Sequence, residues 1–458
     1  MTTSPARTGC CVVGGGPAGL VLGLILARAG VRTTVFEKHS DFLRDFRGDT
    51  VHASTLTLLD ELGLGEQFAA LPPRWVSRLS VQLDSGTYGV ASLTRLPGRH
   101  QHIALVPQWD FLNVVADASR EEPSYELTMN AEVTDLLWDG QRISGVSYSQ
   151  DGRQHQLEAD LVVACDGRSS VIRERAGLKL RTFGVPMDVL WFRLPRLATD
   201  PEGALGRISR SNLLIMLDRG DYFQVGMVIK KASLARLRDH GIETLRQRLR
   251  DTVPWLGDRV DSLRSFDDVR LLNVVLSRLP RWYRDGLLCI GDAAHAMSPV
   301  GGVGINLAVQ DAVAAGRLLA PSLRTGRVAT ATLHAVQRRR WLPTVLTQAF
   351  QRVAHRVVVA TRVAEDDARR PTSAPVPLRL MQRFPLLQGI PGYFLGIGLL
   401  PEHAPDFARR HDETGPLQPV SGRPILRLCV TGFARKGSTC DRDQFHRTGK
   451  RRNSAVPH

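Results

Sequence analysis

The chain is 458 residues long, 43% hydrophobic and 23% charged, with a formal net charge of +15. That apolar content supports a large core in two lobes. The charge does not mark a nucleic-acid binder: the arginines are scattered, much of the excess lies after His411, and an anionic dinucleotide or solubility accounts for the rest.

Cys10 to Val13 is a short apolar run of buried-strand character. Gly14, Gly16 and Gly19 follow as G-x-G-x-x-G. Pro17 falls near the first helical position, where its missing N–H costs nothing, and the helix runs to about Ala29 before Gly30 stops it. A second strand, Thr33 to Phe36, ends at Glu37. Strand, glycines, helix, strand and terminal acid make a dinucleotide-binding unit. The glycines let a pyrophosphate approach the backbone at a helix N-terminus, and the acid meets a ribose hydroxyl. FAD and NAD suit it alike. Arg7 with the run from Cys10 to Ala27 also imitates a secretory signal, but the glycines and Pro17 in mid-course fit a strand-turn-helix better. No other uninterrupted apolar stretch reaches the roughly 20 residues that span a bilayer, so no integral membrane segment is expected.

Residues 45–63 form a loop carrying Arg47, Asp49 and His52, then an amphipathic helix that Ser54 or Thr55 would cap. Arg47 is a candidate pyrophosphate or nicotinamide contact. Residues 74–100 alternate in strand fashion around Asp84-Ser85-Gly86, a first excursion into a β-rich lobe. Gln108 opens a helix with Phe111, Leu112 and Val115 on its apolar face. Asp139-Gly140 and Asp151-Gly152 are hairpin turns leading to a buried strand, Leu161 to Ala164, and then to Asp166-Gly167. The stretches VLWFRL and SNLLIMLDRGDYFQVGMVI return to the second lobe. Residues 233–262 look like a solvated helical cover, and Val269 to Leu276 a strand leading back.

Leu287 to Ile290 is another buried strand, ended by Gly291-Asp292. A loop with Pro299, Gly301, Gly302 and Gly304 then feeds a helix opening near Asn306. Residues 328–368 suit one long helix kinked at Pro343, and residues 371–410 are Pro-rich, then helical. The six cysteines lack metal-ligand spacing, so no metal is expected; those beside glycine motifs look like reduced thiols of a cytoplasmic protein.

Three motifs in order, Gly14 to Gly19, D-G-R-S-S-V-I-R from Asp166 to Arg173, and G-D-A-A-H with P-x-G-G-x-G-x-N from Gly291 to Asn306, together resemble the group A FAD-dependent aromatic monooxygenases. These are the para-hydroxybenzoate hydroxylase-like and phenol hydroxylase-like enzymes. The resemblance implies an α/β fold: a Rossmann-like FAD-binding domain of glutathione reductase type, an inserted β-rich substrate domain and C-terminal helices. It implies that Asp292 holds the ribityl chain of FAD. The loop of Pro299, Gly302, Gly304, Ile305 and Asn306 would pack against the pyrimidine side of the isoalloxazine, with Pro299 counted among the catalytic residues. Gln108 would reach the pyrophosphate or ribose, and Asp166, Gly167 and Arg173 would support FAD and a transient nicotinamide coenzyme, NADPH or NADH. Asp49 would sit by the flavin and help deprotonate a phenol, with His52 as the fallback base. Dioxygen would give a flavin C4a-hydroperoxide that hydroxylates an aromatic or polyketide-like small molecule.

Boundaries follow from the motifs: 1–75, 100–182 and 272–345 for the FAD-binding domain, 76–99 and 183–271 for the substrate domain, 346–410 for the C-terminal helices. Residues 411–458 read as a basic disordered tail. A monomer or homodimer is expected. The strand Leu213-Leu214-Ile215-Met216-Leu217 lacks the polar groups that hold a carboxylate in benzoate-hydroxylating members, which points to a larger or more apolar substrate. The alternatives are a flavin halogenase or reductase on the same fold, or a non-enzymatic dinucleotide-fold carrier. Trp191-Phe192-Arg193-Leu194-Pro195 lacks the second Trp of the halogenase signature W-x-W-x-I-P.

Overall fold

The N-terminal apolar run forms the strand Ala6–Val13, fully buried from Cys10 to Val12. It lies parallel between Arg153–Ala164 and Thr33–Phe36, with Cys10 opposite both Leu161 and Thr33. Leu287–Cys289 and Tyr125–Thr128 extend the two edges, also parallel. Strands buried on both faces carry continuous apolar runs instead of alternation, which is why these were readable as runs. The hairpins at Asp139-Gly140 and Asp151-Gly152 fold Ala131–Asp139 and Arg142–Gln150 back along Arg153–Ala164. The computed structural model describes residues 6–43, 50–209, 212–363 and 374–410. Arg47, Asp49, residues 364–368 of the expected long helix and the tail from His411 lie outside them.

The helix Pro17–Arg28 packs against Gly304–Leu323 so closely that a Cβ on Gly316 would lie 2.4 Å from Ile25 Cγ2. Val300–Leu323 is long and apolar enough to cross a membrane, but its most apolar 18-residue stretch is 83% buried inside the protein, as befits a core helix. The helix Thr330–Val363 holds Pro343 within it and runs across the 345/346 boundary.

A second sheet has the order Arg270–Leu272, Met187–Pro195, Tyr222–Lys230, Leu213–Asp218, Ala204–Ile208, Arg78–Leu83, Gly86–Ser92. Its side chains divide by the period of two. Leu190, Phe192, Leu214, Met216, Val225 and Met227 join a core with Leu237, Leu245 and Leu249 of the covering helices. Val189, Trp191, Leu213, Ile215 and Leu217 face the other way, into a cavity.

Four local expectations need correction. The helices of 233–262 bury Leu237, Leu245 and Leu249 and so complete a core, beyond covering it. The expected strand Val269 to Leu276 is two strands in two sheets, Arg270–Leu272 and Leu276–Arg278, parted at Asn273, whose carbonyl and side-chain oxygen accept from Arg168 and Lys231. Ala204–Ile208 was not expected; it pairs parallel with Arg78–Leu83, a partner far upstream. Neither Ser54 nor Thr55 caps Ala53–Glu61, whose N-cap is His52.

Candidate functional site

A cavity of about 630 Å³ runs without a break from the first glycine loop to the second sheet. That is the size range of a cofactor or ligand site. Gly14, Gly15, Gly16, Pro17, Glu37, Gln108, Asp166, Gly167 and Asp292 line one end. Here the first turn of Pro17–Arg28 presents unpaired backbone N–H groups and the positive end of the helix dipole. A Cβ on Gly16 would meet nothing within 4 Å, so that side of the loop is open. Gly14 is different. Its φ is +106°, and a Cβ there would lie 2.6 Å from the Cys165 carbonyl oxygen. Gly14 therefore serves the crossing of two strands, and Gly16 leaves the room.

Glu37, at the end of its strand, accepts from the Gly15 N–H at 3.1 Å and the His39 N–H at 3.1 Å, which ties the glycine loop to the second strand. Asp166 Oδ2 accepts from the Ile172 N–H at 3.2 Å, while Oδ1 is buried with no partner among the described residues. Burial pushes this carboxyl above its usual pKa. An open glycine loop, a helix N-terminus, an acid at the second strand end and an unsatisfied carboxylate oxygen fit a flavin dinucleotide.

Met297, Ser298, Pro299, Val300, Gly301, Gly302, Gly304 and Ile305 form the middle of the wall. A polar stripe on Thr330–Val363 holds this loop. Gln348 Nε2 donates to the Ser277 and Ala296 carbonyls at 2.8 and 3.3 Å. Gln351 Nε2 donates to Ser298 and Val300 at 2.8 and 3.0 Å. Below them, Asp311 is fully buried: it accepts from the Gly291 N–H at 3.2 Å and Arg340 Nε at 3.0 Å, and meets His295 Nε2 at 2.5 Å. Burial alone would raise the Asp311 pKa, but His295 and Arg340 outweigh it and hold the carboxyl below its usual value.

The far end of the cavity is apolar. Val76, Leu79, Leu105, Met187, Val189, Trp191, Leu213, Ile215, Leu217 and Leu272 line it, and among the described residues the second sheet contributes no charged side chain to the lining.

Of the residues singled out by sequence, the cavity wall contains Gly14, Gly16, Glu37, Gln108, Asp166, Gly167, Asp292, Pro299, Gly302, Gly304 and Ile305. Gly19, His52, Arg173 and Asn306 stand behind it. Gly19 lets the helix approach Gly14, whose carbonyl oxygen would be 1.9 Å from an added Cβ. Arg173 donates to the Ala293 and Arg168 carbonyls at 3.0 and 2.9 Å, clamping two motifs together without lining the cavity. Asn306 Oδ1 accepts from Ser54 and Thr55 at 2.8 and 2.6 Å, which is where those hydroxyls go instead of capping. His52 is buried, its Nδ1 facing the Leu395 carbonyl at 2.5 Å and its Nε2 the Gly302 carbonyl at 3.0 Å. Burial lowers its pKa. A neutral imidazole can donate to only one of these two carbonyls, but both nitrogens face backbone and the ring does not line the cavity, so His52 is a strut behind the loop. Arg47 and Asp49 lie outside the described residues.

Sequence reasoning missed the stripe of Arg340, Thr344, Gln348, Gln351 and His355. The signal was present: spacings of 4, 4, 3 and 4 put these polar residues on one helix face, and that face is buried.

A family model described as FAD binding domain matches residues 7–349. A 6-methylpretetramide 4-monooxygenase of Streptomyces rimosus is 34% identical over 363 residues, 78% of this chain and 85% of its own length. A para-nitrophenol 4-monooxygenase of a Pseudomonas species is 27% identical over 355 residues, 72% of this chain and 83% of its own. Among solved structures, the OxyS anhydrotetracycline hydroxylase of Streptomyces rimosus shares the fold with a TM-score of 0.66 at 22% identity, over 85% of this chain and 76% of its own.

Proposed function

The chain belongs to the FAD-binding-domain family of FAD-dependent aromatic monooxygenases, and we propose that within it this enzyme hydroxylates a multi-ring, largely apolar aromatic of polyketide type. FAD is the cofactor and NAD(P)H the reductant. When bound, the reduced isoalloxazine supplies the activation of dioxygen for transfer of one oxygen atom to the ring.

One observation carries the substrate class: the cavity continues from the Asp292 and Pro299–Ile305 wall into a chamber of Val189, Leu213, Ile215, Leu217 and their neighbours. Burying rings there gains about 25 cal/mol per Å² of apolar surface, whereas a carboxylate would be desolvated with no charged side chain among the described residues of that wall to pair it. Gly16 and the helix N-terminus would take the pyrophosphate, and Asp292 the ribityl hydroxyls. The loop Pro299–Gly302, fixed by Gln351 and His52, would hold the isoalloxazine beside the chamber. The apolar walls exclude water, which protects reactive oxygen from wasteful loss. We assign Asp49 the removal of a phenolic proton. The described cysteines are free thiols, which supports a cytoplasmic setting.

The experiment is NADH and NADPH oxidation by the purified enzyme against simple benzoates, phenols and multi-ring phenolic polyketides. Stimulation by the multi-ring compounds alone is expected. Stimulation by benzoate with no response to larger rings would overturn the substrate class.

A further inference from the structure

On the outer side of the loop that walls the cavity, three guanidinium groups converge on one aromatic ring. The Cζ atoms of Arg181, Arg278 and Arg352 lie 5.5, 5.4 and 5.2 Å from the centroid of Phe183. They come from three separate elements: the strands Arg181–Phe183 and Leu276–Arg278 and the helix Thr330–Val363. Arg181 and Arg278 are direct cross-strand partners, a pairing that places like charges opposite each other and costs stability. Among the described residues none of the three forms an ion pair. Arg278 donates to Gln348 Oε1 at 3.0 Å and lies 4.5 Å from the Trp341 ring centroid, so it is fixed in place. Arg181 and Arg352 are exposed. Burial, then the charges of Arg181 and Arg352, push the Arg278 pKa down. Contacts to Phe183 offset some of the repulsion. An anion would remove the rest.

The cluster is joined to the catalytic cavity by short connections. The Ser277 N–H, next to Arg278, donates to the Ala296 carbonyl at 3.2 Å, and Met297 and Ser298, which follow, line the cavity. Gln348, which accepts from Arg278, donates to that same Ala296 carbonyl. Along the other strand, Phe183 leads within four residues to Met187 of the cavity wall.

We propose that Arg181, Arg278 and Arg352 form the docking site for the 2′-phosphate of NADPH. The assignment rests on the NAD(P)H-dependent reading above. A phosphate monoester is close to a dianion with three terminal oxygens, and three guanidinium forks can share them in charge-assisted bonds. A pyrophosphate carries a similar total charge but spreads it over two phosphorus atoms, so it concentrates less of it where the three cations converge. An exposed surface site suits a co-substrate that must arrive, reduce the flavin and leave.

The test is stopped-flow reduction of the FAD-loaded enzyme by NADPH and by NADH, for wild type, Arg181→Gln and Arg352→Gln. Arg278 is left intact because it packs on Trp341. The wild type is expected to bind NADPH more tightly. Each variant should weaken NADPH by about tenfold or more, with NADH affinity and the limiting reduction rate unchanged. Equal weakening of both coenzymes would place the pyrophosphate or a general field there and overturn the proposal, as would no change in either. Calorimetry with 2′,5′-ADP and 5′-AMP on the oxidised enzyme separates this proposal from the functional reading. If wild type is reduced by neither coenzyme, the reductase function fails. Tight 2′,5′-ADP binding lost in both variants would still support the phosphate site, and binding indifferent to the arginines would overturn it.

Discussion

Replacing Gly16 by valine is expected to abolish FAD binding while leaving the fold intact, and the structure gives both halves of that expectation. Gly16 has φ −80° and ψ −176°, a conformation open to any L-residue, and an added Cβ meets nothing within 4 Å. Restricting the unfolded chain stabilises by about 0.4–1 kcal/mol, and losing a glycine N-cap costs a similar few tenths or more, so the net change in folding should stay within about 1 kcal/mol. The space that the valine fills is the space through which a pyrophosphate reaches the first N–H groups of Pro17–Arg28. Each charge-assisted bond lost there is worth about 1.5–3 kcal/mol, or roughly 10- to 150-fold in FAD affinity. Gly14→Val is the contrasting control. With φ +106° and the Cys165 carbonyl oxygen 2.6 Å from the new Cβ, it should fail to fold. Thermal melts and flavin fluorescence after desalting read both effects. A Gly16→Val protein that keeps wild-type FAD would refute the placement of the pyrophosphate.

Asp292→Ala should show FAD affinity lowered about 10-fold or more, read by fluorescence titration. Asp311→Ala should cost about 3 kcal/mol in a urea titration, near the low end for breaking a buried pair, because Glu402 remains 3.8 Å from Arg340. The Asp311 pKa is depressed in the fold, so its stabilisation is present above the unfolded carboxylate value near 3.8 and is lost as pH falls through the folded value. The wild type should therefore lose stability on acidification in that window more steeply than Asp311→Ala; parallel acid profiles would contradict this. Asp49→Asn should still bind FAD and oxidise NAD(P)H, but release hydrogen peroxide in place of hydroxylated product. Full coupling in that variant would remove Asp49 as the base.

What the sequence disclosed and what it hid follow from the range of each interaction. The Gly14–Gly19 loop, Glu37, Asp166 and the Pro299–Ile305 loop were legible because their chemistry depends on local backbone shape, which neighbouring residues encode. Asn306 and Arg173 belong to the same motifs and His52 to the loop before Ala53–Glu61, yet their side chains bond to Ser54, Ala293 and Leu395, partners that no local pattern reveals. Ser54 and Thr55 have the right chemistry for a cap, but a partner more than 250 residues away took their hydroxyls. The strand Ala204–Ile208 is short, follows Pro201 and Gly203, and exists because Arg78–Leu83 offers it an edge. In the second sheet, period-two alternation was hidden because both faces are apolar, one toward helices and one toward the cavity.

In the proposed reading, FAD at the glycine-loop end of one continuous cavity meets an apolar multi-ring substrate at the other end for NAD(P)H-driven oxygen insertion. The most direct measurement is turnover of a phenolic multi-ring polyketide under ¹⁸O-labelled dioxygen, with the product weighed by mass spectrometry and NAD(P)H consumption followed in parallel. One labelled oxygen in the product is expected for each NAD(P)H oxidised. Unlabelled product, or NAD(P)H oxidation that never labels any ring compound offered, would contradict it.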